Sequence, residues 1–250
     1  MGNQFTKHGK EIVKSEFLRE RIYVNNESHV VYKYLPRLED IIFCMAMAKV
    51  KSGYTMNASQ ANLPREDYEK VSKAFNGILA EFVIHRFLLI VIGIREDHIK
   101  RFDLERDRFN YTRDEYDLKI FLNNVWYDIE SRSSISYKTN LKEAFEKYHV
   151  IGPYFNEAKV SEDYNAIYLR PLYQYKDVRF RNKEELLDLM KDYYKNRVDL
   201  YLMTGAFKED FDKYGYQKDM GQNSTAYTVV NIRDVGGLDR FIRRFNEKFL

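Results

Sequence analysis

The stretch YDLKIFLNNVWYDIESR, Tyr116 to Arg132, gathers Asp117, Lys119, Asp128, Glu130 and Arg132. Two carboxylates from neighbouring strands can hold a hard divalent cation such as Mg²⁺, which prefers oxygen ligands. A cation beside them neutralises charge that develops on a phosphate under attack. The plain alternative is a solvated sheet face carrying cross-strand ion pairs. A third carboxylate, Glu81 in NGILAEF, stands among Gly77, Ile78, Ile84 and His85 at helical spacing. On such a face a carboxylate is costly unless it meets a cation or a partner. The alternative is a rim Glu paired with His85 or a nearby Arg. Gly77, one turn earlier, permits close approach of a neighbouring backbone or a ligand.

These groups need elements to hold them. The acidic stretch predicts two strands joined at Asn123-Asn124, because paired Asn tolerates the positive φ of a tight hairpin. Tyr116, Leu118, Ile120 and Leu122 then share one face, with Asp117 and Lys119 on the other. Across the turn Val125, Tyr127 and Ile129 point one way, and Trp126, Asp128, Glu130 and Arg132 the other. Glu81 falls on a long helix from about Arg65 to Ile92, opened by Pro64, with the apolar stripe Phe75, Ile78, Leu79, Phe82, Val83, Phe87 and Ile90.

Elsewhere, residues 1 to 35 read as charged and irregular, with a short helix near Lys10 to Arg21. Arg37 to Lys51 reads as a helix stopped at Gly53, and Tyr54 to Leu63 as a loop. Arg95 to Glu115 reads as a charged surface segment. Leu141 to Val150 is amphipathic, and Gly152-Pro153 marks a turn. Strands are expected at Tyr164 to Leu172, Val198 to Met203 and Ala226 to Ile232. Asn182 caps a helix from Lys183 to about Asn196, with Glu185 completing the box. Phe207 to Asn223 is loop-rich, and Leu238 to Leu250 is a basic terminal helix.

Composition narrows the function classes. The 250 residues suffice for a sizeable core. One cysteine, Cys44, sits in an apolar run, so no disulfide framework forms within the chain and a cytoplasmic setting is expected. The longest apolar run, Phe87 to Ile94, is too short to span a bilayer, so no membrane is expected. Scattered histidines exclude a zinc spacing. No Walker loop, dinucleotide fingerprint or serine-hydrolase elbow appears, so no nucleotide cofactor is expected. A net charge of +3 leaves a nucleic-acid partner open if the basic residues cluster. Arg240, Arg243, Arg244 and Lys248 of the terminal helix are candidates for DNA-backbone contacts, or equally a solvated face.

From Arg65 the order is helix, strand, strand, strand, helix, strand. With Glu81 on the helix, Asp117 on the first strand and Glu130-Ser-Arg132 on the second, the chain resembles the PD-(D/E)xK nuclease superfamily. The resemblance covers about Arg65 to Met203. It implies an α/β fold with a restriction-endonuclease-like core: a mixed central sheet flanked by helices, order αβββαβ, with N- and C-terminal additions. Residues 1–63 would be a helical addition packed on the core, 64–205 the catalytic core, and 206–250 a strand-helix addition within the same domain. By resemblance Asp117 and Glu130 bind Mg²⁺, or Mn²⁺ in its place, and Glu81 supports the metal or its water. Arg132 stands where the family carries Lys. Arg stays protonated and cannot act as a base, though it can orient a water or clamp a phosphate. Lys119, or more remotely Lys138, would then supply the amine. The implied activity is a Mg²⁺-dependent endonuclease on double-stranded DNA, of restriction, anti-phage or mobile-element type, acting as a homodimer. The alternative is a degenerate member acting as a nucleic-acid-binding or assembly subunit.

Overall fold

The chain builds its main sheet from two hairpins with the same turn chemistry. The first joins β1 (Phe17–Val24) to β2 (Glu27–Tyr34). Its turn residues Asn25 and Asn26 have φ of 50° and 65°. Residues 17–21, where the sequence suggests a helix, are therefore strand; Lys10 to Lys14 lie outside the described residues. The computed structural model describes residues 16–54, 67–105, 116–137, 140–156, 164–176, 192–193, 195–219 and 225–250.

Helix α1 (Leu38–Ser52) follows. The Asp40 carboxylate caps its start by accepting from Arg37 N, and it also accepts from the Tyr34 hydroxyl, both at 2.9 Å. Helix α2 (Asp67–Phe87) continues into a π-helical turn, Leu88–Ile92, and ends at Gly93 with φ 89°. The expected end at Ile92 holds. The loop expected over Tyr54 to Leu63 lies, after Tyr54, outside the described residues.

The charged segment from Arg95 contains a short strand, β3 (Ile99–Arg101), and a single helical turn, α3 (Phe102–Glu105). That strand is too short to show periodicity, and it displaces the expected order. The acid-bearing strands β4 (Leu118–Leu122) and β5 (Val125–Ser131) are the second and third of the meander, not the first and second. Their turn forms as expected, with Asn123 and Asn124 at φ 51° and 62°.

After β6 (Ser134–Ser136) and α4 (Leu141–Glu146) comes β7 (His149–Asn156). The turn expected at Gly152-Pro153 is instead inside β7. This is a sheet edge, where a missing N–H is tolerated. A Cβ on Gly152 would lie 2.4 Å from the Phe211 ring. Strand β8 (Ile167–Tyr175) has every residue buried. β9 (Val198–Phe207) runs through the expected stop at Thr204-Gly205. The helix expected from Lys183 lies outside the described residues except near its end. Phe207 to Asn223 contains α5 (Lys208–Tyr214) and β10 (Tyr216–Asp219) rather than loop alone. β11 (Thr225–Asn231), α6 (Ile232–Val235) and α7 (Leu238–Phe249) complete the chain.

The main sheet runs β1-β2-β9-β8-β5-β4-β3, with β6 also beside β8. It is mixed: β8 lies parallel to β5 and β6, and the other pairs are antiparallel. A parallel return requires a crossover, here through α4 and β7. A small antiparallel sheet runs β10-β11-β7. One core joins Phe75, Ile78, Leu79 and Val83 of α2 to Leu118, Ile120 and Ile129 of the hairpin, and to Phe241, Phe245 and Phe249 of α7. A second joins Phe145, Tyr168, Leu172, Met203 and Phe211. The fold is thus mixed α/β, with a mixed central sheet flanked by helices. Cys44 is fully buried as expected, and burial pushes its thiol up to about 12.

Candidate active site

The hairpin register pairs Leu118 with Ile129 and Lys119 with Asp128, which sets Asp117 opposite Glu130. Asp117 precedes the regular strand, and its Oδ2 accepts from Ser131 N at 2.7 Å. Glu130 Oε2 accepts from Asn165 Nδ2 at 2.9 Å, and its Oε1 lies 3.1 Å from Arg132 Nη2. Asn165 just ahead of β8 and Arg132 just past β5 thus fix the orientation of Glu130 from two sides.

Glu81 is buried rather than at a rim. Burial, and then the neighbouring Asp117, hold its carboxyl well above the usual carboxylate range; Lys51 and Arg101 pull the other way. Among the described residues none donates a hydrogen bond to it. His85, the partner suggested by helical spacing, instead lies 3.1 Å from Glu96. Lys51, at the end of α1, reaches Asp103 of α3 at 2.6 Å. The charges around Glu81 therefore come from α1, β3, α3 and the start of β4. Local spacing carries no signal for that gathering, because its members are distant in sequence.

The structure brings Glu81 and Asp117 within electrostatic reach, while Glu130 is held by Asn165 and Arg132. Among the described residues no group of three or more His, Cys, Asp or Glu is arranged to hold a metal ion. Lys119 lies 3.4 Å from Asp128 and 4.2 Å from the Tyr116 ring centre, a cross-strand arrangement on the hairpin face. Lys138 lies outside the described residues. In the terminal helix, Arg244 makes two hydrogen bonds to Asp210, at 2.7 and 3.1 Å, and Lys248 bonds Glu209. Arg240 and Arg243 are exposed. Phe249 O accepts from Asn123 at the hairpin turn. That end of α7 is about 20 Å along the strand from Asp117, at about 3.3 Å per residue.

A cavity of about 540 Å³ opens beside Arg132, walled by Lys73 and Gly77 of α2, Ser134 of β6, Arg170 of β8 and Tyr227 of β11. A Cβ on Gly77 would meet nothing within 4 Å, so the glycine widens the cavity rather than admitting a neighbouring backbone. Arg170 escaped notice in the sequence, although a lone Arg inside the apolar run AIYLRPLY was a legible signal.

Over 185 residues the chain is 26% identical to the uncharacterized protein MJECS01 of Methanocaldococcus jannaschii, covering 66% of this chain and 67% of that one. No family model and no solved structure matches the chain.

Proposed function

We propose that the chain is a metal-dependent nuclease of the PD-(D/E)xK kind that hydrolyses phosphodiester bonds in double-stranded DNA. The observation that carries the reading is Glu81: a buried carboxyl raised by burial and by Asp117, beside the acid-bearing hairpin. The element order supports it. Helix α2 is followed by the antiparallel β3, β4 and β5, then by β6, α4 and β7, and by β8 parallel to β5.

The donor set of Glu81 and Asp117 fits a hard cation. Two crowded carboxylates disfavour each other's charge, a positive ion relieves this, and oxygen donors suit Mg²⁺ or Mn²⁺. A divalent cation there would neutralise negative charge building on the phosphate. Ser131 N steadies Asp117 from behind. Asn165 and Arg132 orient Glu130, which lies across the hairpin from Asp117. The Arg132 guanidinium stays protonated and offers its fork to a phosphate oxygen. Cutting both strands calls for a homodimer. A lone buried thiol fits a reducing cytoplasm.

The test is plasmid cleavage by pure protein in Mg²⁺ or Mn²⁺. EDTA should abolish it, and Asp117→Asn or Glu81→Gln should slow it at least about a hundredfold. Cleavage that survives both substitutions would overturn the assignment. A second reading, nucleic-acid binding without turnover, is favoured by Arg132 at the position of the family Lys and by its engagement with Glu130. Tight DNA binding with no cleavage in either metal would select it.

A further inference from the structure

The ladder beside β8 keeps one offset across its interruption. Ile129 pairs with Ile167 before the break, and Ser134 pairs with Leu172 after it. That offset sets Arg132 opposite Arg170, where β5 has ended and β6 has not begun. The β8–β9 ladder also shifts register between Leu169 and Pro171. Like charges directly opposite across a ladder repel, so two arginines here need a reason.

Arg170 is 8% exposed. Its Nη1 donates to His149 O, and its guanidinium lies 5.2 Å from the Tyr148 ring centre. Its buried Nε has no acceptor among the described residues, and no described carboxylate pairs with it. Burial, with Arg132 adding to it, lowers its pKa against the influence of Tyr148. Lys73, on α2, stands on the helix side of the same cavity and is paired with Glu69 at 2.7 Å, as Arg132 is with Glu130, so Arg170 is the lining cation without a carboxylate partner among the described residues. A buried cation without a counter-ion is costly, and an anion entering the cavity relieves that cost.

We infer that this recess takes a phosphomonoester, the terminal phosphate of a nucleic-acid strand or of a nucleotide. A dianion answers several gathered cations better than the single charge of a phosphodiester. Arg170, buried and lining the recess, offers its guanidinium to the added charge that an end group carries and a phosphodiester lacks. Tyr227 and Ile151 supply ring and apolar surface for the attached nucleoside. The nucleic-acid identity of the ligand rests on the nuclease reading, but the binding does not require catalysis.

The experiment titrates the full-length protein, in EDTA, against one labelled DNA strand carrying either a 5′-phosphate or a 5′-hydroxyl. A 3′-phosphorylated strand, inorganic phosphate and a 5′-mononucleotide are the further arms. A phosphorylated end should bind at least about tenfold tighter, the worth of one charge-assisted hydrogen bond. Arg170→Gln and Lys73→Gln should each erode that preference. Because losing a buried guanidinium can cost the fold, Lys73→Gln, at a helix surface, carries the result if Arg170→Gln does not fold. A mononucleotide that competes as well as the strand assigns the recess to free nucleotides and keeps the phosphomonoester. If all strands bind alike and neither phosphate nor mononucleotide competes, the inference is overturned. A preference unchanged in folded Lys73→Gln and Arg132→Gln overturns it too. An intact end preference without Mg²⁺-dependent cleavage would sink the nuclease reading and leave the recess standing.

Discussion

At the scale of single residues, Glu81 and His149 give opposite dependences on pH. Glu81 carries a folded pKa raised above its unfolded value, so the folded state holds that proton longer. Its effect is absent below the unfolded value, about 4.3, and stability falls as pH climbs through the folded pKa, by about 1.4 kcal/mol for each tenfold gain in proton affinity on folding. In EDTA the melting temperature should therefore decline as pH rises above about 4.3. Glu81→Gln should flatten that decline while slowing cleavage, and Mg²⁺ should offset it in the parent protein. An unchanged slope in Glu81→Gln would show that its carboxylate is already compensated. His149 behaves in the reverse sense. Burial, then Lys218, with Arg170 adding to them, lowers its pKa. The unfolded chain takes up the proton first, so stability is lost as pH falls below about 6.5. His149→Gln should reduce that acid-side loss in melts over about pH 5 to 7. A loss of the same size in the variant would assign the acid sensitivity to another group.

At the scale of elements, the turns and the close helix contact are the sensitive points. Asn123 and Asn124 both lie in the left-handed region, which costs a residue with a Cβ about 1–2 kcal/mol and costs Asn less. Asn124→Val should lower the urea midpoint by an amount equivalent to about 1–2 kcal/mol, while Asn124→Gly should be neutral or stabilising. Equal effects from the two changes would mean the turn tolerates strain. Gly205 works differently. A Cβ there would lie 2.6 Å from the Phe241 ring and 2.8 Å from Leu169. Gly205→Ala should push α7 off β9 and destabilise by about 1–3 kcal/mol, the range for overpacking. A midpoint within error of the parent would show that the Phe241 ring can move aside.

At the scale of the whole molecule, α2 and α7 share one core with the hairpin. By length and composition the helix over Asp67–Ile92 could cross a bilayer. Yet Phe75, Ile78, Leu79, Val83, Ile84 and Phe87 are all fully buried against the chain's own strands and helices. The terminal helix buries Leu238, Phe241, Phe245 and Phe249 in the same cluster as Leu118 and Ile120. A fragment truncated before Leu238 leaves that surface open to water, at about 25 cal/mol per Å² of apolar area. It should be insoluble or lack a cooperative melt. A soluble fragment with a sharp transition would mean the terminal helix is an accessory and not part of the core.

Local chemistry made much of this protein legible. The Asn-Asn turn, the alternation in β4 and β5, the stripe of α2 and the buried Cys44 each follow from residues near one another in the chain. The first hairpin carried the same Asn-Asn signal at Asn25-Asn26, but the charged alternation around it looked irregular. β3 is too short for any period to show, and the Gly152-Pro153 pair reads as a turn until an edge strand is seen to need neither that N–H nor a side chain beside Phe211. What only the tertiary structure decided is charge at a distance. Glu81 meets Lys51, Arg101 and Asp117, and Arg132 meets Arg170, because strands and helices far apart in sequence converge. Electrostatic energy depends on separation in space and on exclusion of water, and neither can be read from spacing along a chain.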